Sequence, residues 1–262
     1  MNMKGWMLLL TVCISSVASK DLWKSGYIKK GGIPSKDWSF GKDNVATVKN
    51  PAGGKSKVTR VLYPKGSYKP SATPRGGAAF FKTLKPARDI VTLTYDIYFA
   101  KNFNFVKGGK LPGLYGGTRK CSGGRDTSDC FSTRFMFRKN GDGEVYLYAP
   151  DNQARNFCSD KRVICNFDFG HSIGRGSFRF QKGRWYTVSQ RVKLNTVGKT
   201  NGYVRVWLNR KQVLYKPNLR LRNSSKVKIN GMFFSTFFGG GDPSWATPVK
   251  TYTYYRNFKM TT

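Results

Sequence analysis

The segment that decides the fold runs from Phe131 to Pro150 and reads FSTRFMFRKNGDGEVYLYAP. Apolar and polar residues alternate on both sides of the central Asn-Gly-Asp-Gly run at residues 140–143. Period-two alternation places each set on one face of a strand, and the glycine-rich run is typical of a turn. The segment therefore predicts a β-hairpin with two different faces.

One predicted face of this hairpin is apolar and the other carries groups that can bind an anion. The apolar face combines alternate residues of the two strands, which are Phe135, Phe137, Val145 and Leu147. The same register places four polar residues on the opposite face, which are Ser132, Arg134, Tyr146 and Tyr148. A guanidinium, a hydroxyl and two phenols on one sheet face indicate a site for an acidic ligand.

Short strand-like runs separated by Gly, Pro, Asn and Ser continue along the chain. They are Val91–Phe99, Trp185–Leu194, Gly202–Leu208, Lys211–Tyr215, Gly231–Phe238 and Tyr252–Met260. No amphipathic helix longer than about two turns is predicted. Many short strands with regular turns favour a two-sheet antiparallel β-sandwich of the jelly-roll type, with the binding groove on one sheet face. We expect one domain over residues 20–262.

The N-terminus has the pattern of a secretion signal. Lys4 gives a short basic start, residues 6–14 form an apolar run too short to span a bilayer, and residues 17–19 are small enough for cleavage. We therefore expect residues 1–19 to be a signal peptide and the mature protein to be secreted, extracellular and without a membrane anchor.

The chain is strongly basic, with 47 Lys and Arg against 13 Asp and Glu and a net charge of +34. Such a charge predicts an acidic partner, and acidic polysaccharide, nucleic acid and anionic membranes all fit it. Export argues against nucleic acid, and the charge is spread along the chain instead of being concentrated in a tail or helix. We expect a monomer that binds acidic polysaccharide.

Four cysteines remain after the predicted signal, and four cysteines allow three disulfide pairings. The simplest pairing in an exported chain closes two local loops, Cys121 with Cys130 and Cys158 with Cys165. Zinc is the alternative, but His171 is the only histidine to support it. We expect neither a metal nor a cofactor.

Several kinds of catalysis find little support in the sequence. His171 lies in FDFGHSIGRG, which is not a nucleophile-elbow pattern, and we expect it to be structural or incidental. Phosphate loops and dinucleotide fingerprints are missing from the sequence. A glycosidase carboxylate pair would need Glu144 and one of the few aspartates.

β-Elimination from a polyuronate fits the polar face of the hairpin better. The enzyme must neutralise the sugar carboxylate, remove the proton from C5 and protonate O4 as it departs. Arginine or lysine suits the first task, and tyrosine suits the other two when neighbouring cations favour its phenolate. Arg134 beside Tyr146 and Tyr148 predicts such a neighbourhood, and no metal is needed.

Three motifs in order resemble the alginate lyases of polysaccharide lyase family 14, which occur in marine molluscs and an algal virus. The motifs are GGKLPGLYGG at 108–117, STRFMFR at 132–138 and GEVYLYAP at 143–150. The likeness extends to three later segments, which are QKGRWYTVSQRVKLN at 181–195, NGYVRVWLN at 201–209 and YYRNF at 254–258. The resemblance implies a β-jelly roll and metal-independent cleavage of alginate.

The resemblance also implies functional residues at matching positions. They are Lys110, which we expect to neutralise the carboxylate from a glycine-rich loop, Ser132 as an orienting donor, Arg134, Tyr146 and Tyr148. We predict that Tyr146 is the base and also the acid, and that Tyr148 positions the sugar. Trp245, in a mobile glycine-rich loop at residues 239–248, is expected to bind substrate.

The predicted activity is endo-acting cleavage of the 1,4-glycosidic bonds of mannuronate-rich alginate, leaving unsaturated uronate ends. Two alternatives stay open. One is a lyase for another polyuronate such as glucuronan, and the other is a non-catalytic module that binds acidic polysaccharide. Arg134 could instead form an ion pair with Glu144 across the hairpin, which would contribute little to stability if it is exposed.

Overall fold

The computed structural model of the protein describes residues 19–124 and 127–262. The predicted signal peptide therefore lies outside the described residues except for Ser19. No helix of the described part is long and apolar enough to cross a membrane.

Sixteen strands and five three-residue 3-10 turns make up the regular structure of the described residues. The strands are β1 Asp21–Ser25, β2 Trp38–Phe40, β3 Val45–Lys49, β4 Lys57–Tyr63, β5 Ala78–Arg88, β6 Ile90–Phe99, β7 Gly108–Gly117, β8 Cys130–Arg138, β9 Asp142–Tyr148, β10 Val163–Ile164, β11 His171–Arg179, β12 Trp185–Lys193, β13 Gly202–Leu208, β14 Lys211–Leu219, β15 Ile229–Phe238 and β16 Thr251–Thr261. The 3-10 turns are Lys30–Gly32, Ser35–Asp37, Lys42–Asn44, Lys139–Gly141 and Pro243–Trp245.

The strands form two antiparallel sheets of eight strands each, as expected for a jelly roll. Sheet I has the order β14-β13-β12-β6-β16-β4-β3, with β1 also paired to β16. Sheet II has the order β10-β11-β9-β8-β7-β15-β5-β2. The predicted all-β sandwich is confirmed.

The core lies between the sheets and uses the apolar face of the hairpin. The predicted inward residues Phe135, Phe137, Val145 and Leu147 are fully buried, as are Leu93, Tyr95 and Ile97 of β6 in sheet I. Burial of each large apolar side chain contributes about 1.5–3 kcal/mol, which makes this face the main determinant of the hairpin register.

The hairpin turn is tighter than the sequence predicts, because it occupies Lys139–Gly141 and β9 begins at Asp142. Asn140 and Gly141 have φ of 62° and 83°. Both residue types tolerate this left-handed conformation, and a Cβ at Gly141 would lie 2.1 Å from the Phe180 carbonyl oxygen.

The prediction that Lys110 lies in a glycine-rich loop is wrong. Gly108–Gly117 is β7, a central strand of sheet II between β8 and β15. Glycine and proline hide the strand pattern, and the register shift between Leu111 and Leu114 lets Pro112 occupy a central strand without breaking a ladder. Sequence patterns also miss β1–β5, β10 and β11.

Candidate active site

A cleft of about 750 Å³ lies on the face of sheet II that is turned away from the core. Its floor is formed by β7, β8, β9 and β15, and its walls by loops around residues 69–71, 122–123, 164–170 and 239–245. Of the described residues that line the cleft, all those with a charge are cationic: Lys69, Lys110, Arg134, Arg138 and Arg175. The volume suits a few sugar rings, and the charge suits an anion.

Strand pairing brings the predicted residues together as the hairpin pattern requires. Arg134 lies directly opposite Tyr146, and Ser132 opposite Tyr148, in the β8–β9 ladder. On the other side of β8, Lys110 of β7 lies opposite Met136. Because these residues share one face of adjacent strands, their side chains meet in one place.

Lys110 is buried at the centre of the cleft floor, with 9 % of its surface exposed. Its Nζ lies 3.8 Å from the centroid of the Tyr146 ring and 3.0 Å from the Met136 Sδ. Burial, together with repulsion from Arg134 and Arg138, holds the pKa of Lys110 well below its usual value. A lowered pKa lets an amine accept a proton near neutral pH, and the ammonium form of a lysine can bind an anion.

Arg134 is also buried, and its guanidinium lies between aromatic rings. Its Cζ is 4.8 Å from the Phe233 ring centroid and 5.5 Å from that of Tyr148, and its Nη1 donates to the Ser235 hydroxyl at 3.2 Å. Burial lowers the pKa of Arg134, although guanidinium remains charged at physiological pH. Neither Arg134 nor Lys110 forms an ion pair with any described residue.

The alternative in which Arg134 pairs with Glu144 is wrong. Glu144 is fully buried and accepts hydrogen bonds from Arg138 Nη2 at 2.6 Å, Arg175 Nε at 2.8 Å and the Ser172 hydroxyl at 2.5 Å. Arg134 thus keeps its charge available to a ligand.

The two tyrosines stand edge to face, with ring centroids 5.5 Å apart. The Tyr146 hydroxyl accepts from the Gly170 N–H at 3.2 Å, and the Tyr148 hydroxyl accepts from the Gly123 N–H at 3.1 Å. A Cβ on Gly170 would lie 2.8 Å from the Tyr148 ring and 2.9 Å from the Tyr146 ring. Glycine at this position therefore lets the loop reach both phenols.

Burial and the neighbouring Tyr148 raise the pKa of Tyr146, even though the Gly170 N–H and Arg138 act in the opposite direction. The sequence predicts that cations favour the phenolate of Tyr146 and so lower its pKa, and the net shift of the pKa has the opposite direction. Desolvation outweighs the cations because Tyr146 is only 8 % exposed.

Ser132 shares the face of the other four residues but does not line the cleft. Its buried hydroxyl donates to the Cys121 carbonyl at 2.8 Å and so ties the start of the 121–130 loop to β8. Cys121 and Cys130 form a disulfide that closes this loop, and Cys158 and Cys165 form the second predicted disulfide. The role of Ser132 as an orienting donor stays a prediction.

Trp245 lies on the wall of the cleft, as its expected role in binding requires. Its ring covers Gly240, where an added Cβ would be 2.1 Å from the indole. Lys107 Nζ lies 6.0 Å from the Trp245 ring centroid and donates to the Ser244 hydroxyl at 2.5 Å. These contacts hold the indole in the wall.

His171 is structural, as the sequence predicts. It is buried between Phe157 and Phe167, at ring-centroid distances of 5.2 and 5.5 Å, and its Nδ1 accepts from the Asn166 N–H at 3.1 Å. Burial lowers its pKa. Within residues 19–124 and 127–262, no group of three or more His, Cys, Asp or Glu is arranged to hold a metal ion.

Sequence reasoning missed several residues of the site. Arg138 and Met136 share the polar face of β8 with Arg134, so the alternation could have identified them. Ser235 and Arg175 come from β15 and β11, and nothing in the sequence indicates that these strands approach the hairpin.

Comparison with known proteins identifies the family. The model of the family Polysaccharide lyase 14 matches residues 51–258, which is most of the chain. The protein belongs to this family. The matched region contains the whole hairpin and Lys110.

Solved structures of two lyases resemble this member of polysaccharide lyase family 14. The marine PL-14 alginate lyase from Aplysia kurodai is 38 % identical with a TM-score of 0.84, over 92 % of this chain and 98 % of that one. The alginate lyase vAL-1 from Chlorella virus is 25 % identical with a TM-score of 0.69, over 82 % and 88 %.

A curated relative, Exolysin of Paramecium bursaria Chlorella virus 1, is 28 % identical over 192 residues. The alignment covers 66 % of this chain and 29 % of Exolysin, so the chain spans less than a third of the length of Exolysin.

Proposed function

We propose that the protein is a secreted alginate lyase that cleaves 1,4-glycosidic bonds by β-elimination. The observation that carries the proposal is the meeting of Lys110, Arg134, Tyr146 and Tyr148 in one cationic cleft. Two relatives of known structure are alginate lyases, and alginate is a polymer of sugar carboxylates that matches this charge.

The carboxylate of the reacting sugar is neutralised by Arg134 and Lys110. Arg134 presents a guanidinium that no described carboxylate pairs, and Phe233 and Ser235 fix its plane. Because both side chains are buried, such preorganised cations stabilise the second negative charge that develops when C5 loses its proton.

Tyr146 moves the proton, with Lys110 as its partner. Because the pKa of Tyr146 is raised and that of Lys110 is lowered, the protein alone holds a neutral phenol beside an amine of weakened basicity, and the proton stays on the phenol. A bound uronate carboxylate favours the ammonium form of Lys110, so the phenolic proton passes to Lys110 once substrate is bound and leaves a phenolate base. The phenolate takes the C5 proton, the C4–C5 double bond forms, the C4–O4 bond breaks and Tyr146 returns the proton to O4.

Stereochemistry supports preference for mannuronate. In a mannuronate unit the C5 proton and O4 lie on the same side of the ring, so a single phenol can take and return the proton. Guluronate places them on opposite sides and needs two groups. Tyr148, whose hydroxyl is held by Gly123, is then free to position the sugar.

The reaction needs no metal ion in this proposal. Arg134 and Lys110 neutralise the carboxylate in place of a Lewis acid, and Tyr146 transfers the proton. Endo action fits a cleft whose cations extend beyond a single sugar, from Arg134 to Arg175. Two disulfides fit an oxidising, extracellular location, and we propose that the mature protein acts as a monomer.

One assay tests the proposal. The protein is mixed with alginate, polymannuronate, polyguluronate and glucuronan, with and without a chelator, and the ultraviolet absorbance of the unsaturated uronate is followed. We expect the fastest rise on polymannuronate, unaffected by chelator, with oligosaccharides of several lengths as early products.

The remaining outcomes each correct one part of the proposal. If glucuronan is cleaved fastest, the substrate is a polyuronate other than alginate. Loss of activity with chelator would exclude the metal-independent mechanism. Binding of polymers without any rise in absorbance would identify a non-catalytic module instead of an enzyme.

A further inference from the structure

A second group of cations lies beside the catalytic residues and makes no contact with the reacting sugar in the reaction described above. Arg138 and Arg175 line the same cleft as Arg134 and Tyr146. Arg138 Cζ is 5.8 Å from the Tyr146 ring centroid, and the side chain of Arg175 is 39 % exposed.

A buried carboxylate fixes both arginines. Glu144 is fully buried under the cleft floor, where its Oε1 accepts from Arg138 and its Oε2 accepts from Arg175 and Ser172. A buried charge of this kind is costly unless it is paired and hydrogen-bonded. The group therefore holds two guanidinium groups in place and keeps a net charge of about +1.

Arg138 extends from a different part of β8 than Arg134 does. The two residues are four apart on the strand, so their Cα atoms are separated by roughly 13 Å. A single uronate carries one carboxylate, which Arg134 and Lys110 bind in the proposed reaction, so the further cations of the cleft are available to another sugar of the same chain.

We propose that Arg138 and Arg175, held by Glu144 and Ser172, form a second subsite that binds the carboxylate of a neighbouring uronate unit. This subsite rests on the proposed function, since it assumes a polyuronate in the cleft. It binds the chain without touching the reacting sugar, so it determines affinity for the polymer and the register in which the chain is cut. Arg138 and Arg175 are substrate-binding residues, and Glu144 is a positioning residue.

The same strand offers a matched control. Arg179 of β11 also donates its Nε to a carboxylate, that of Asp142 at 2.7 Å, but it is 62 % exposed and does not line the cleft. Arg175→Ala and Arg179→Ala therefore remove the same charge from the same strand. Only the first removes it from the proposed subsite.

The test measures kcat and KM on polymannuronate and direct binding of the same polymer by calorimetry. We expect Arg175→Ala to raise KM and Kd about tenfold with little change in kcat, and Arg179→Ala to stay within about twofold of the wild type. Arg175→Lys should recover part of the affinity, because it restores the charge without the planar fork. The early products of Arg175→Ala should also differ in length.

Two results would overturn the subsite. One is equal KM and Kd for Arg175→Ala and Arg179→Ala. The other is a fall in kcat at unchanged KM in Arg175→Ala, which would place Arg175 on the reacting sugar. If the wild type binds the polymer but does not cleave it, the proposed lyase activity fails, and the calorimetric comparison still decides the subsite.

Discussion

The outer faces of the two sheets carry similar side chains, and the candidate site lies on the outer face of sheet II. On sheet I, Arg256 lies over Trp185 with its Cζ 4.2 Å from the ring centroid, and its Nε donates to Asp96 at 3.1 Å. On sheet II, Arg134 lies over Phe233 in the same manner, but it donates to a serine hydroxyl. One guanidinium is neutralised within the protein and the other is not.

Burial separates the two faces further. The Arg256 side chain is 27 % exposed, whereas Arg134 is only 2 % exposed because loops enclose the sheet II face. Charges interact more strongly where water is excluded. Arg134 therefore keeps a buried charge that pairs with no described carboxylate and is available to a ligand, whereas Arg256 does not.

The largest effect is expected when a phenol is removed from the sheet II face, and removal of a phenol from the sheet I face serves as the control. Tyr146→Phe should lower kcat about 10³-fold, because it removes the group that takes and returns the proton. Tyr254→Phe, which removes a phenol from the outer face of sheet I, should leave kcat unchanged. Rates on polymannuronate, with circular dichroism to confirm folding, provide the measurement. If Tyr146→Phe retains most of its kcat and Tyr148→Phe loses it, the proton transfer belongs to Tyr148.

Removal of one arginine from each outer face tests whether catalysis needs a guanidinium that no carboxylate neutralises. Arg134→Ala should reduce kcat/KM about 10²-fold, since the developing charge loses a preorganised cation. Arg256→Ala should reduce it less than twofold, because Arg256 already neutralises Asp96. Steady-state kinetics decides the matter, and a similar loss in both variants would mean that the protein's overall charge, not the site, drives catalysis.

The pH dependence of kcat/KM tests how burial in the cleft changes the pKa values of Lys110 and Tyr146. Between the lowered pKa of Lys110 and the raised pKa of Tyr146, the two residues share one titratable proton. We expect kcat/KM to rise as pH increases through the lower pKa, to level off, and to fall only in the strongly alkaline range. In Lys110→Arg the guanidinium cannot accept the phenolic proton, so the rise should move to higher pH. An unchanged profile in that variant would show that Lys110 takes no part in proton transfer.

The smallest expected effect concerns the loop that carries Trp245. Gly240→Ala places a methyl group against the indole and should raise KM about threefold by displacing it. Gly241→Ala is the matched control, because its added Cβ meets no described atom within 4 Å. Equal KM values in the two variants would remove Trp245 from the substrate site.

The hairpin residues of the site could be predicted from the sequence because the alternation of faces along a strand depends only on neighbouring residues. Arg134, Tyr146 and Tyr148 lie on the face that the alternation predicts, opposite the buried Phe135 and Val145. The two disulfides join cysteines seven and nine residues apart, so local loop closure suffices to predict them.

Lys110 and Arg175 show where such reasoning fails. Lys110 lies in a strand whose glycines and bulge obscure its pattern, and Arg175 lies in a β11 register shift between Ile173 and Phe178. Bulges change the direction of side chains, so the two-residue period no longer indicates which face a residue occupies.

The sequence by itself determined which side chains share a face of the hairpin, because a backbone with a two-residue period leaves no other choice once Phe135, Phe137, Val145 and Leu147 are buried. Only the tertiary structure decided that β7 and β15 flank β8, that Glu144 binds Arg138 and Arg175, and that loops exclude water from Lys110 and Tyr146. Pairing between distant strands and desolvation depend on how the whole chain packs, and they set the charges available to a ligand.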